Sequence, residues 1–296
     1  MQSDIKQGSL PVLALLMSAT LWGMIWYPYR LLSHMGVSGL MATFMTYSVA
    51  LMVGLPLYRR QWRNILAARG WWLAIVVTSG WTNTAYVLAV IHGEVMRVSL
   101  LFYLAPLWTI LFSRLLLAER LSRTGYHVVL LSLSGAVIML WRPDGGLPIP
   151  GNAAEWAGLS AGISFALTNV LSKKAGMLSI EAKSVGIWIG GSMMPLPLLL
   201  AHPSAFAAWG SYNPAIWSVL LLLAASMFII TVVLQYGLLH LAANRAIVIL
   251  LFELIVSALS AYFLAGESLV GKEWLGAAMI MVASLFSGRL DKETGS

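Results

Sequence analysis

An acidic side chain interrupts one of the most apolar stretches of the chain. Residues 250–267 read LLFELIVSALSAYFLAGE, with Glu253 among apolar side chains and Glu267 at the end. An ionised carboxylate in hydrocarbon costs at least about 2.5 kcal/mol, so an acid at this place requires a physical reason. Glu253 could carry a proton across a membrane, or it could stay a neutral acid that is hydrogen-bonded to a neighbouring helix.

Aromatic side chains recur on one face of the first apolar stretch. Trp22, Trp26 and Tyr29 are spaced i, i+4 and i+7, which places them on the same side of a helix. Such a face can stack on a flat apolar group or attract an ammonium group by cation–π contact. The alternative is packing against other helices or, for Tyr29, a place in the aromatic belt at a membrane surface.

Uncharged polar side chains lie in several other apolar stretches. Amides and hydroxyls can bind both the ammonium and the carboxylate of a zwitterion without a fixed charge, although hydroxyls also serve contacts between membrane helices. The predicted substrate-binding residues are Trp22, Trp26, Asn83, Tyr86, Tyr103, Ser164, Thr168, Asn169, Trp188, Thr231, Gln235, Tyr236 and Glu253.

The sequence carries no residue pattern typical of catalysis. The five histidines lack metal-ligand spacing, and there is neither a Ser–His–Asp grouping nor a glycine loop that could bind phosphate. The absence of cysteine excludes disulfides and thiolate metal sites. We therefore expect no catalytic residue, no cofactor and no metal ion.

The composition indicates which kind of structure holds these residues in place. Hydrophobic residues make up 59% of the 296 residues and charged residues 10%, whereas a soluble domain carries about 25% charged residues. The chain is therefore predicted to be an all-α integral membrane protein whose first apolar run is a retained helix. Because about 20 apolar residues cross a bilayer, we predict ten spans. They are 10–32, 37–58, 71–92, 96–117, 124–141, 153–172, 180–201, 214–238, 244–265 and 271–288.

The net charge of +7 reports orientation rather than a nucleic-acid partner. With ten spans and a cytoplasmic N-terminus, only four of the 18 lysines and arginines fall on the outer side. They are Arg30, Arg97, Arg142 and Lys272. Positive residues concentrate on the cytoplasmic side of membrane proteins, so both termini are predicted to be cytoplasmic.

The chain also repeats itself. Residues 96–122 align with residues 244–270, which matches Arg97 with Arg245 and Glu119 with Glu267. Both acids stand at helix ends, where we expect each to accept a hydrogen bond from a neighbouring helix end. Five helices per half place the second half upside down, a recurring arrangement in secondary transporters. We predict repeats at 1–141 and 153–289, a linker at 142–152 and a cytoplasmic tail at 290–296.

These residues resemble a known family. Ten helices in two inverted halves, with LLAERL at 116–121 and LAGESL at 264–269, look like the drug/metabolite transporter superfamily of EamA type. The aromatic content is similar to that of YddG-type amino-acid exporters. Family members commonly carry LEP in the ninth helix, where this chain has Glu253 followed by Leu254 instead of proline. The first half keeps its proline, as Pro106. The resemblance implies a substrate cavity between helices 1, 3, 4, 6, 8 and 9, with helices 5 and 10 peripheral.

The expected function is therefore a secondary transporter of the bacterial inner membrane. It would export amino acids with aromatic or other sizeable neutral side chains by alternating access, either coupled to protons or facilitative. Its partners would be a small-molecule substrate and the lipid bilayer, and the oligomeric state is open. The alternatives are a multidrug exporter of lipophilic cations, a membrane-embedded lipid-modifying enzyme and a channel-like subunit.

Overall fold

The structure is a computed structural model that describes residues 2–93, 95–141, 149–201, 206, 208–266 and 271–286. The predicted tail, most of the predicted linker and Glu267 lie outside the described residues. Within the described residues every regular element is a helix. The helices are α1 (Gln2–Met24), α2 (Trp26–His34), α3 (Gly39–Leu57), α4 (Trp62–Ala67), α5 (Arg69–His92), α6 (Val95–Phe102), α7 (Ala105–Phe112), α8 (Arg123–Leu140), α9 (Ala153–Lys174), α10 (Ile180–Met193), α11 (Leu196–Leu200), α12 (Pro214–His240), α13 (Ala243–Leu250), α14 (Phe252–Ala265) and α15 (Gly271–Phe286).

Seven helical stretches of the described residues are long and apolar enough to cross a membrane. They are Ser9–His34, Gly39–Leu57, Arg69–His92, Val98–Leu117, Arg123–Leu140, Pro214–His240 and Ala243–Leu264. The other three predicted spans coincide with α9, with α10 and α11 together, and with α15. Of these, α9 carries Glu155, Lys173 and Lys174, α10 stops before Pro195, and α15 has only 16 residues. The count of ten spans stays a prediction.

Three of the long apolar stretches contain interrupted helices. Proline explains two interruptions, because its ring removes an N–H and clashes with the carbonyl four residues earlier. Pro28 lies four residues after the end of α1 at Met24, and Pro106 lies four residues after the end of α6 at Phe102. The third break, at Leu251, has no proline. There the Leu254 N–H donates to the Leu251 carbonyl at 3.0 Å, a bond that tightens the backbone locally.

Glycine allows the closest helix contacts. A Cβ atom on Gly190 of α10 would lie 2.2 Å from the Val76 carbonyl of α5, and one on Gly80 would lie 2.6 Å from the Gly190 carbonyl. Gly135 of α8 and Gly276 of α15 approach each other in the same way. Membrane helices associate through such small residues because their backbones can then pack directly.

The long helices pack against one another in specific pairs. Helix α5 packs against α9 and α10, while α1 packs against α12 and α14. Helix α3 packs against α10 and α12, and α7 lies against both α9 and α13. Helices α8 and α15 pack mainly on each other. Of the interrupted helices, α6 and α7 pack on α9, α13 and α14 pack on α1, and α7 also contacts α13.

Candidate functional site

The acid in the apolar helix has a tyrosine partner 150 residues away. The Tyr103 hydroxyl donates to Glu253 Oε1 at 2.7 Å, and both side chains are half-buried. Tyr103 follows the end of α6 and Glu253 is the second residue of α14, so each lies beside a helix interruption. Glu253 thus has the hydrogen bond to a neighbouring helix that was one of its two expected uses.

Aromatic rings gather next to this pair. The ring centroid of Phe102 lies 4.9 Å from that of Tyr86, 5.3 Å from that of Tyr103 and 5.4 Å from that of Phe165. We call Tyr86, Phe102, Tyr103 and Phe165 the aromatic group. Tyr86 and Tyr103 were predicted, whereas Phe102 and Phe165 were missed. The spacing of Phe165 four residues before Asn169 was an available signal, since it places both on one face of α9.

Two buried side-chain amides have polar atoms without a hydrogen-bond partner. Both side-chain polar atoms of Gln235 and the Nδ2 atom of Asn169 have no hydrogen bond, and these residues are only 1% and 4% exposed. A buried donor or acceptor without a partner costs about 1–3 kcal/mol, so such groups require an explanation. Leu234, next to Gln235, belongs to a cluster that Phe165 packs against. Asn169 lies in α9, which also carries Phe165 of the aromatic group. Gln235 lies in α12, which contacts α9.

The predicted hydroxyl groups are already engaged within the protein. Ser164 donates to the Thr78 carbonyl of α5 at 2.8 Å, and Thr168 donates to the Ser164 carbonyl at 2.8 Å. Thr231 donates to the Met227 carbonyl at 2.7 Å. The Ser164 bond joins α9 to α5 and fits the packing alternative, whereas Thr168 and Thr231 bond to carbonyls four residues earlier in their own helices.

Both polar side-chain atoms of Asn83 have protein partners. Its Oδ1 atom accepts from the Tyr47 hydroxyl at 2.9 Å, and its Nδ2 atom donates to the Ser79 carbonyl at 2.9 Å. Asn83 thereby ties α5 to α3. Its environment contrasts with that of Gln235, whose side-chain polar atoms have no partner.

Trp188 lies away from the aromatic group. It is fully buried in α10, stacked on Phe228 at 4.6 Å between ring centroids, and its ring fills the space above Gly54. Trp22 packs against the buried hydrophobic cluster that contains Trp188. Tyr236 lies with its ring 4.4 Å from that of the exposed His240.

Trp26 connects the first helix pair to α14. Its Nε1 atom donates to Ser260 Oγ at 2.8 Å, and that hydroxyl also lies 3.2 Å from the Gly23 carbonyl. Ser260 was missed, because a serine in an apolar run has no distinctive spacing. Gly23 lies directly against the backbone of Glu253, so Trp26 and the Tyr103–Glu253 pair are held by the same helix contact.

Glu119, the acid that the sequence aligns with Glu267, lies against the start of α13. Both carboxylate oxygens of Glu119 accept from the Ala243 N–H, at 3.1 and 3.2 Å, and Oε2 accepts from Asn244 Nδ2 at 3.3 Å. Ala243 is the first residue of α13, so the carboxylate lies at the positive end of that helix. The expected hydrogen bond of Glu119 to a neighbouring helix end is confirmed.

Comparison with known proteins decides the family. The profile of the EamA-like transporter family matches residues 9–141 and again residues 152–289. The chain belongs to the EamA-like transporter family. This EamA-like protein is therefore a multi-pass membrane transporter, and its family points to transport rather than catalysis.

The relatives of this EamA-like transporter are distant. It is 30% identical over 154 residues to an uncharacterized transporter of Pseudomonas aeruginosa, covering 52% of this chain and 45% of that protein. It is 28% identical over 252 residues to a riboflavin transporter of Rhizobium johnstonii, covering 83% and 79%. A solved crystal structure superposes with a TM-score of 0.77 over 96% of this chain and 99% of that one. At 17% identity that likeness concerns the fold alone.

Proposed function

We propose that the protein is a secondary transporter that exports amino acids with aromatic or other sizeable neutral side chains across the bacterial inner membrane. The observation that carries this proposal is the pair of buried amides: both polar side-chain atoms of Gln235 and the Nδ2 atom of Asn169 lack protein partners. Phe165, four residues before Asn169, belongs to the aromatic group. A ligand with a polar, charged end and a flat apolar end matches this combination.

A zwitterion suits uncharged amides better than a multiply charged anion does. The amide oxygen can accept from an ammonium group, and the amide nitrogen can donate to a carboxylate. Aromatic rings prefer offset or edge-to-face contact with another ring, and each such pair contributes about 0.5–1.5 kcal/mol beyond burial. The aromatic group would therefore favour substrates with flat or bulky side chains.

Alternating access would follow from two inverted five-helix halves, which we propose as the architecture, with ten spans and both termini cytoplasmic. The packing partners support it. In this arrangement α5 corresponds to α12, α9 to α1 and α10 to α3. The contact of α5 with α9 therefore has its counterpart in that of α12 with α1, and the contact of α5 with α10 in that of α12 with α3. The separate family matches to residues 9–141 and 152–289 support the same division.

Flux measurements in proteoliposomes test the transport proposal. Labelled amino acids are offered together with labelled riboflavin, because one relative is named for riboflavin and its flat ring also suits the aromatic group. We expect saturable flux and counterflow for phenylalanine, tyrosine or tryptophan, and little flux for glycine. Absence of saturable flux for every amino acid would overturn the proposed substrate class.

A multidrug exporter of lipophilic cations is the second candidate. The specific observation in its favour is Glu253, a half-buried carboxyl beside the aromatic group that forms no ion pair within the described residues. Competition between a cationic dye and an aromatic amino acid separates the two candidates. Flux of the dye that the amino acid does not inhibit would favour the second.

Glu253 is the residue that we propose for proton coupling. Glutamine keeps an oxygen that accepts from the Tyr103 hydroxyl but has no proton to release, so Glu253→Gln should preserve the fold and a saturable flux. We expect the stimulation of flux by a pH gradient to be lost in this variant. Tyr103→Phe is the matched variant, since it removes the hydrogen bond and leaves the acid. Unchanged flux and pH dependence in Glu253→Gln would exclude coupling through this residue.

A further inference from the structure

A cleft of about 270 Å³ lies apart from the candidate site, at the predicted cytoplasmic end of α7, α8 and α13. Its polar lining consists of Arg114, Glu119, Arg120, Tyr126 and Asn244. Neither the transport proposal nor any predicted substrate-binding residue uses it. The cleft therefore needs its own explanation.

The backbone beside the cleft is irregular. Ser113–Leu117 forms a π-helical turn, and Ala118 ends it with a φ of 56°. Among the described residues Ala118 is the one non-glycine residue with a positive φ. Both features are uncommon, cost conformational energy and concentrate at functional sites. Here they separate Arg114 from Arg120, and both arginines line the same cleft.

The charges of the cleft favour an anion. Arg114 and Arg120 are exposed and form no ion pair within the part of the chain that the structure describes. The carboxylate of Glu119 also lines the cleft, but both of its oxygens accept from the start of α13. The cleft thus presents two guanidinium groups, which donate in a planar fork that suits phosphate oxygens, together with the Tyr126 hydroxyl.

The surroundings favour a lipid over a free ion. Exposed leucines stand along the helices that form the cleft: Leu111 and Leu115 are 44% and 69% exposed, and Leu130 is 61% exposed. In the predicted orientation this end meets the cytoplasmic leaflet, and basic pockets between membrane helices on that side bind anionic headgroups. We propose that the cleft binds the phosphate-bearing headgroup of an anionic phospholipid, with the acyl chains along these leucines.

Lipid titration tests the proposal without any transport measurement, so its outcome is independent of the proposed substrate. The full-length protein in neutral detergent is titrated with short-chain phosphatidylglycerol, with phosphatidylcholine of the same chain length and with inorganic phosphate, and binding is followed by thermophoresis. We expect saturable binding of phosphatidylglycerol only. Arg114→Gln and Arg120→Gln should each weaken it about five-fold, which corresponds to about 1 kcal/mol per basic residue.

Arg123→Gln is the matched control. Arg123 is also exposed and is the first residue of α8, but it does not line the cleft, so its replacement should leave the affinity unchanged. Equal binding of phosphatidylcholine, binding of inorganic phosphate as tight as that of the lipid, or equal weakening by all three substitutions would each overturn the proposal. If Arg114→Gln fails to fold, Arg120→Gln carries the same test.

Discussion

Replacement of Gln235 by leucine is expected to make the protein more stable and, at the same time, a poorer transporter. Gln235 is 1% exposed, and neither its amide nitrogen nor its amide oxygen has a partner. Removing an unsatisfied buried amide relieves a desolvation cost of about 1–3 kcal/mol, and leucine is of similar size. The free energy of unfolding should therefore rise by up to about that amount.

The loss of transport should be larger than the gain in stability. A hydrogen bond to a charged group of the substrate contributes about 1.5–3 kcal/mol, so Gln235→Leu should lower kcat/KM by roughly ten- to a hundred-fold. The measurements are the apparent melting temperature in detergent and the initial rate of flux in proteoliposomes. Asn169→Leu should act in the same direction, with a smaller gain in stability because only its Nδ2 atom lacks a partner.

Asn83→Leu is the control for this experiment. Both polar atoms of the Asn83 amide have partners, Tyr47 and Ser79, so its removal leaves the Tyr47 hydroxyl without its partner and should lower the melting temperature. If Gln235→Leu also lowers the melting temperature while transport is unchanged, Gln235 is a structural residue and the proposed role of the amides is wrong.

Much of the fold was accessible from the sequence because its signals are local. Hydropathy over about 20 residues depends only on neighbouring residues, and so do the interruptions at Pro28 and Pro106. The interruption at Leu251 was not predictable in this way, since no proline or glycine marks it. It arises in the second half at the place where the first half carries the proline-dependent break.

The candidate site was less accessible because its contacts are not local. The partner of Glu253 lies 150 residues away, and nothing in the spacing of Tyr103 distinguishes it from other tyrosines. Trp188 illustrates the opposite difficulty. A tryptophan near the middle of an apolar stretch is compatible with a substrate cavity, but here glycine at position 54 makes room for its ring within the packed core.

Lys183 shows that the burial of a charged residue is equally hard to predict from the sequence. Lys183 is the fourth residue of the predicted span 180–201, at the end that is predicted to be cytoplasmic. In the structure it is 1% exposed in the first turn of α10. Its long apolar stem can pack among neighbouring side chains, a property that hydropathy averages do not register.

Substitution of Gly190 by alanine is expected to be among the most destabilising changes in the described residues. The added Cβ would lie 2.2 Å from the Val76 carbonyl, 2.8 Å from Ser79 Oγ and 2.9 Å from the Gly80 N–H. Two of these three atoms belong to the backbone of α5, which cannot move as a flexible side chain does. Overpacking of this kind costs about 1–3 kcal/mol, and the short backbone contacts place Gly190→Ala at or above the upper end.

The consequence should reach the whole molecule, because α5 and α10 lie in the two separate stretches that the family profile matches, 9–141 and 152–289, and their contact joins these stretches directly. We expect Gly190→Ala to lower both the melting temperature and the yield of monodisperse protein on size exclusion. Gly80→Ala should act similarly, since its Cβ would lie 2.6 Å from the Gly190 carbonyl. Gly70→Ala makes the same chemical change near the start of α5, where nothing lies within 4 Å, and should be neutral or slightly stabilising. Equal melting of Gly190→Ala and Gly70→Ala would show that the two helices do not pack backbone to backbone.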